Sequence, residues 1–114
     1  MQYNKRNENG FSIVALEGDV DFHSSREARQ VLLEIVKEKG DMLIDMSKVE
    51  YIDSSGIACL VEAFQESKTA GTKFGLVSVQ GTARRVLELA RLEQIFPIYS
   101  SISEIEASYN RFIP

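Results

Sequence analysis

Met42-Leu-Ile-Asp-Met-Ser-Lys-Val-Glu-Tyr-Ile-Asp-Ser-Ser-Gly-Ile57 runs from an apolar segment into the start of a helix. Its first five residues are short and mostly apolar, as in a central strand covered on at least one face. A loop follows and ends in Asp53-Ser54-Ser55-Gly56, where a helix begins; that helix runs from about Ser54 to Ala70 and stops at Gly71. Lys73–Val79 supplies another apolar run. Strand, helix and strand joined by short links make a βαβ unit, which demands a parallel strand pair and a right-handed crossover.

Working outward from this unit, Phe11-Ser-Ile-Val-Ala-Leu16 is apolar on both faces and lies between Gly10 and Gly18, which predicts a strand. The Asn-Glu-Asn-Gly run at 7–10 predicts a hairpin to a short N-terminal strand around Gln2–Lys5. Ser24-Ser-Arg-Glu27 has capping-box spacing. Ala28, Val31, Leu32, Ile35 and Val36 follow on one helical stripe, closed by Gly40. Toward the C-terminus, Ala83, Val86, Leu87 and Ala90 mark a third helix. Ile102, Ile105, Tyr109 and Phe112 mark a fourth, with a cap at Ser101 or Ser103. Between them Ile95–Tyr99 predicts an edge strand, because Pro97 cannot donate to a ladder. The expectation is an α/β fold: one domain over residues 1–114, with a mixed four- to five-stranded sheet and about four helices.

Composition narrows the function. The chain has 114 residues, 44% hydrophobic and 26% charged, enough for one core without metal or disulfide support. A formal charge of −4 is poorly suited to a phosphate backbone, so no direct nucleic-acid partner is expected. There is one cysteine, Cys59, and one histidine, His23, which leaves no multi-cysteine metal site and no histidine pair. The N-terminus carries no apolar leader segment and no run approaches a bilayer span, so a cytoplasmic location without membrane insertion is expected. No Gly-rich phosphate loop occurs, and the serines have no histidine or lysine at a hydrolase spacing. The chain therefore reads as a binding protein without a cofactor rather than an enzyme.

The chemistry concentrates at Asp53-Ser-Ser-Gly56. Asp53 suits an N-cap, where its carboxylate meets free amides and the positive end of the helix dipole. By local chemistry alone, capping accounts for Asp53, Ser54 and Ser55 together. A helical wheel of ~100° per residue separates the serines. It groups Ile57, Leu60, Val61 and Phe64 on the apolar face, Ser55 with Glu62, Gln65 and Glu66 on the polar one, and Ser54 near the border. The wheel thus expects Ser55 to be reachable and Ser54 to be structural. It also has Gly56 leaving room for a partner beside the hydroxyl, and Glu62, Glu66 and Asp53 making the surroundings acidic. A phosphate on Ser55 would add roughly −1.5 to −2 charges, and free amides at the helix start could receive it without unfolding the domain.

Asp53-Ser-Ser-Gly-Ile57 following Asp45-Met-Ser-Lys-Val49 resembles the signature of STAS domains, the family named for sulfate transporters and anti-sigma factor antagonists. Gly18-Asp-Val-Asp-Phe-His23 resembles a second family motif, Gly-Glu-Leu-Asp before a helix. Arg84–Phe96 fits the third helix and following strand. The resemblance covers essentially the whole chain and implies a free-standing anti-sigma factor antagonist. It makes Ser55 the phosphoacceptor and Ser54 its neighbour, and puts Asp21, Asp53 and Gly56 with them on the partner-binding face. The implied partners are an anti-sigma factor that is also a serine kinase, bound when Ser55 is unmodified, and a PP2C-type phosphatase that restores that state. Ala58 stands where the family usually has a second glycine. The alternative is a STAS accessory subunit of a membrane transport complex or of a stress-sensing assembly.

For the remaining residues the plain readings hold: His23 on a loop, Cys59 as inert packing between the two faces of its helix, Asp19 and Asp21 in turn or interface roles, and Arg84 and Arg85 on a solvated face. The mostly polar helix faces give no reason to expect more than a monomer or weak dimer.

Overall fold

The computed structural model describes residues 1–105. Five strands form one sheet in the order β1-β2-β3-β4-β5: Gln2–Glu8, Phe11–Val20, Asp41–Ile52, Phe74–Val77 and Ile98–Tyr99. β1 and β2 pair antiparallel through a two-residue turn in which Asn9 and Gly10 have φ of 51° and 85°, the backbone that matches the twist of a tight hairpin. All later pairs are parallel. The connecting helices are α1 (Ser25–Lys37), α2 (Ser54–Ala70) and α3 (Gly81–Leu89). Because β2 to β5 lie side by side in chain order, right-handed crossovers put all three helices on the same face. The main core is built there, from Val14, Leu16, Ile44, Met46 and Leu76 of the sheet against Leu32, Ile35, Leu60 and Leu87 of the helices. On the opposite face Phe11, Ile13, Leu43 and Val77 pack under Ile102 and Ile105. Those two isoleucines lie in a helical turn at 102–105, where Ser101 Oγ accepts the Glu104 N–H at 3.2 Å. Of the expected fourth helix, Tyr109 and Phe112 lie outside the described residues.

The α/β expectation and the edge position of β5 agree with this architecture, whereas several boundaries move. β3 does not end at Met46 but continues to Ile52, so the expected loop before Asp53 is strand. The reason lies in its register against β2. Ala15 pairs with Asp45 but Glu17 with Lys48, and Gly18 pairs with Val49 but Asp19 with Tyr51. Each shift inserts one extra residue into β3, and the resulting bulges bend it. Burial accordingly passes from Met42, Ile44 and Met46, two apart, to Val49 and Ile52, three apart. Ile95–Tyr99 contributes strand only at Ile98 and Tyr99, because a 3-10 turn at Leu92–Gln94 precedes it and leaves Ile95 exposed.

The long helix α2 buries a different stripe from the one expected. Gly56, Cys59, Leu60, Ala63 and Ser67 face the core, while Ile57, Val61 and Phe64 are half-buried. Small residues let the helix sit close to the sheet, and Phe64 fills the flank against Phe74 and Phe96 at ring-centre distances of 5.3 and 5.4 Å. Ser67 is fully buried, and among the described residues its hydroxyl has no hydrogen-bond partner. An orphaned buried hydroxyl costs on the order of 1–3 kcal/mol, so Ser67→Ala is expected to raise stability by about 1 kcal/mol. Denaturant unfolding checks this, and a loss of stability on substitution would mean that the hydroxyl is satisfied in solution.

Candidate functional site

The loops at the C-terminal ends of parallel strands are where open α/β sheets place their ligands and partners. Here the β2–α1 loop (residues 21–24) and the β3–α2 junction (53–56) stand side by side, because β2 and β3 are paired to their ends, Val20 with Ile52. Asp53 joins them. It is the N-cap of α2, and its Oδ1 accepts the N–H groups of Ser55 at 2.9 Å and Gly56 at 3.1 Å. Its Oδ2 accepts the Phe22 N–H across the gap at 3.1 Å. One carboxylate therefore serves three backbone donors from two loops.

Asp21 organises its own loop in the same manner. Its Oδ1 accepts the N–H of His23 at 3.0 Å and of Ser24 at 3.2 Å. Partial desolvation pushes the Asp21 carboxyl upward, but these N–H donors and the Ser24 hydroxyl outweigh it and hold the group below the usual carboxylate value. Because the folded value is depressed, this contribution is complete at neutral pH and disappears only as acid protonates the carboxyl. The expected capping box is not formed. Ser24 makes no side-chain cap bond, since its Oγ instead donates to the Asp19 carbonyl at 2.8 Å and accepts the Asp21 N–H at 2.9 Å.

Gly56 has a role opposite to the one expected. It is buried, and a Cβ there would overlap the Val20 carbonyl oxygen and lie 2.6 Å from Ile52 Cγ1. The glycine admits the sheet and not a visitor. Gly56→Ala must move backbone, and overpacking of this kind costs about 1–3 kcal/mol. A lowered denaturation midpoint is the expected result, and wild-type stability would show that the junction can relax.

The serines also exchange their expected exposures: Ser54 is exposed and Ser55 half-buried. The wheel continued an ideal helix backward, but the stripe that α2 actually buries is set by Gly56, Cys59 and Ala63, turned away from Ile57. Among the described residues neither serine hydroxyl makes a hydrogen bond, because Asp53 alone supplies the cap. The two amides nearest Ser55 are correspondingly occupied by a carboxylate and are not free for an anion. The surroundings are also less acidic than expected. Glu62 is tied to Arg29 of α1 by two hydrogen bonds of 2.7 and 2.8 Å, and that guanidinium holds the Glu62 carboxyl below its ordinary value.

The sequence reading passed over Phe22, whose side chain is 74% exposed between Asp21 and His23. The available signal was a large aromatic inside a turn flanked by polar residues, where no core position could receive it. Cys59 lies under the site and is buried. Burial, with a smaller push from Glu62, raises its thiol to about 11, so the reactive thiolate is scarce near neutral pH. A disulfide-exchange reagent is expected to label Cys59 rapidly in guanidinium chloride and far more slowly in the native protein. Equal rates would mean that α2 opens readily.

The family model for the STAS domain matches residues 2–105. The chain belongs to the STAS domain family. Among its relatives, the anti-sigma-F factor antagonist RsfB of Mycobacterium tuberculosis is 28% identical over 97 residues, covering 84% of this chain and 79% of that protein. Among solved structures, an anti-sigma factor antagonist from Mycobacterium paratuberculosis superposes with a TM-score of 0.85 at 24% identity, covering 94% of this chain and 92% of the other. The Bacillus cell fate determinant SpoIIAA in its phosphorylated form gives a TM-score of 0.73 at 14% identity over 95% and 99% of the two chains. These likenesses agree with the STAS fold expected from the motifs. Among the described residues no helix is long and apolar enough to cross a membrane, and no cluster of His, Cys, Asp and Glu side chains could hold a metal ion.

Proposed function

We propose that this STAS protein is an anti-sigma factor antagonist whose binding is switched by phosphorylation of Ser55. The observation that carries the reading is the division of labour at the start of α2. Asp53 caps the helix and Gly56 packs it, so Ser54 and Ser55 keep hydroxyls with no structural task. Capping explained all of these residues when only the sequence was considered; with the cap assigned to Asp53, it no longer accounts for the serines. Relatives such as RsfB are named for antagonising an anti-sigma factor, and SpoIIAA is known in a phosphorylated form.

In this reading the unmodified face, built from Asp21, Asp53, Ser54 and Ser55 over the buried Gly56, binds an anti-sigma factor with serine kinase activity and so releases the sigma factor. The kinase transfers the γ-phosphoryl group of ATP to Ser55 Oγ, the hydroxyl proton leaves, and ADP departs. The new dianion stands beside the Asp53 carboxylate, which already holds the two nearest amides. It therefore projects into the interface and opposes binding by like-charge repulsion and desolvation. A PP2C-type phosphatase hydrolyses the ester and restores the binding form. The nucleotide belongs to the kinase, and this chain contributes the acceptor oxygen and the surface that docks it.

Ser54 is the more exposed hydroxyl, so the acceptor has to be tested against it. Incubating wild type, Ser54→Ala and Ser55→Ala with an anti-sigma-type serine kinase from the same genome and Mg-ATP, then measuring intact mass, is expected to show one added phosphate. That phosphate should be absent only from Ser55→Ala. Loss in Ser54→Ala alone would move the switch by one residue. No phosphate on any variant, with the kinase active on a control substrate, would favour the transport-complex subunit.

A further inference from the structure

We propose that Phe22 is the apolar anchor of the partner-binding face, inserted into a pocket of the anti-sigma factor that is apolar at its floor and basic along the side meeting Asp21. The proposal rests on the antagonist reading and adds to it an apolar contact residue of that face.

Phe22 is exposed without being loose. Its N–H is fixed to Asp53 Oδ2 at 3.1 Å, and its carbonyl accepts the Ser25 hydroxyl at 3.3 Å. Backbone turns from Ser24 and Ser25 to the Asp21 carbonyl, at 3.2 and 2.8 Å, close the loop beneath it. The His23 ring meets it edge-on at 5.8 Å. A large aromatic held on ordered backbone loses little conformational entropy when it is covered, and a phenylalanine offers roughly 150 Å² or more of surface to bury. Nothing in the fold requires the ring outside. The backbone around it is determined by Asp21, Ser24 and Asp53, and a polar residue would satisfy the same turn.

The loop's position identifies the occupant. Through Asp53 the Phe22 backbone is coupled to the first turn of α2, so a protein that reaches Ser55 also covers the aromatic ring. On the Asp21 side, a shallow depression of about 420 Å³ is lined by Met1, Asp19, Asp21, His23, Glu27 and Glu50 among others. That rim complements basic side chains. Ser54 and Ser55 do not line the depression, so a phosphate would be added on the other flank of the anchor, where it opposes an apolar floor. An aromatic core with a polar rim is the arrangement in which a few residues carry most of a protein interface's energy.

The test is the affinity of the purified anti-sigma-type serine kinase from the same genome for wild type, Phe22→Ala and Phe22→Trp, with sedimentation of each variant alone. Phe22→Ala is expected to weaken binding about 10- to 30-fold, with an unchanged melting temperature because the ring is outside the core. Phe22→Trp is expected to retain affinity within about 3-fold. Wild-type affinity in Phe22→Ala, with wild type binding well, would overturn the anchor and leave the antagonist reading intact. Failure of wild type to bind the kinase would overturn both. An altered sedimentation of Phe22→Ala with kinase affinity unchanged would assign the ring to self-association and overturn the proposal.

Discussion

The Asp53 carboxylate is the group on which the rest of the site depends. Two of its bonds close the first turn of α2, and the third reaches across to Phe22 in the loop before α1. Charge-assisted bonds of this kind are stronger than bonds between neutral groups, and a helix start favours the negative charge. What would otherwise be two independent loops becomes one surface. The parallel pairing of β2 and β3 to their last residues brings the loops within reach; the carboxylate fixes their relation.

This economy also explains why the site can carry a reversible modification. Residues that hold a fold together cannot be altered without cost, and in Asp53-Ser-Ser-Gly56 the holding is done at the two ends. Asp53 satisfies the amides, and the absent side chain of Gly56 lets the helix meet the Val20 carbonyl. The two positions between them contribute hydroxyls that bond to nothing among the described residues. Arg29 and Glu62 join α1 to α2 on the exposed side, where solvent screening keeps an ion pair's contribution small.

Much of the architecture was legible because its signals are local. The limits of α2, Asp53 as a cap and Gly71 as a stop, were read to the residue, and they are set by backbone chemistry that needs no knowledge of the rest of the chain. The parallel pairing of β3 and β4 followed from the short links around α2. The misreadings arose where a distant element decides. Val49 and Ile52 are strand because β2 supplies their partners across two bulges, and no period of two survives a bulge. The burial of Gly56 is decided by Val20 and Ile52, which an isolated helical wheel cannot contain. Ser24 and Glu27 have the spacing of a capping box, but Ser24 is claimed by Asp19 and Asp21. Phe22 was passed over because hydrophobic periodicity registers only residues that belong to a core.

The sequential strand order has a consequence for how the protein is made. Every strand's neighbours in the sheet are its neighbours along the chain, from the β1–β2 hairpin through β5. Beyond the hairpin, each parallel pairing spans a whole helix, as Phe11 with Asp41 and Leu76 with Ile98, so loop-closure entropy is lost before its contacts form. Parallel pairing of this kind slows folding relative to helical bundles, whose contacts are local. The sheet can still grow in the order of synthesis, each helix covering the preceding strands as the next one arrives. The joined loops of the site, set by β2, β3 and the first turn of α2, are complete before β4 is needed.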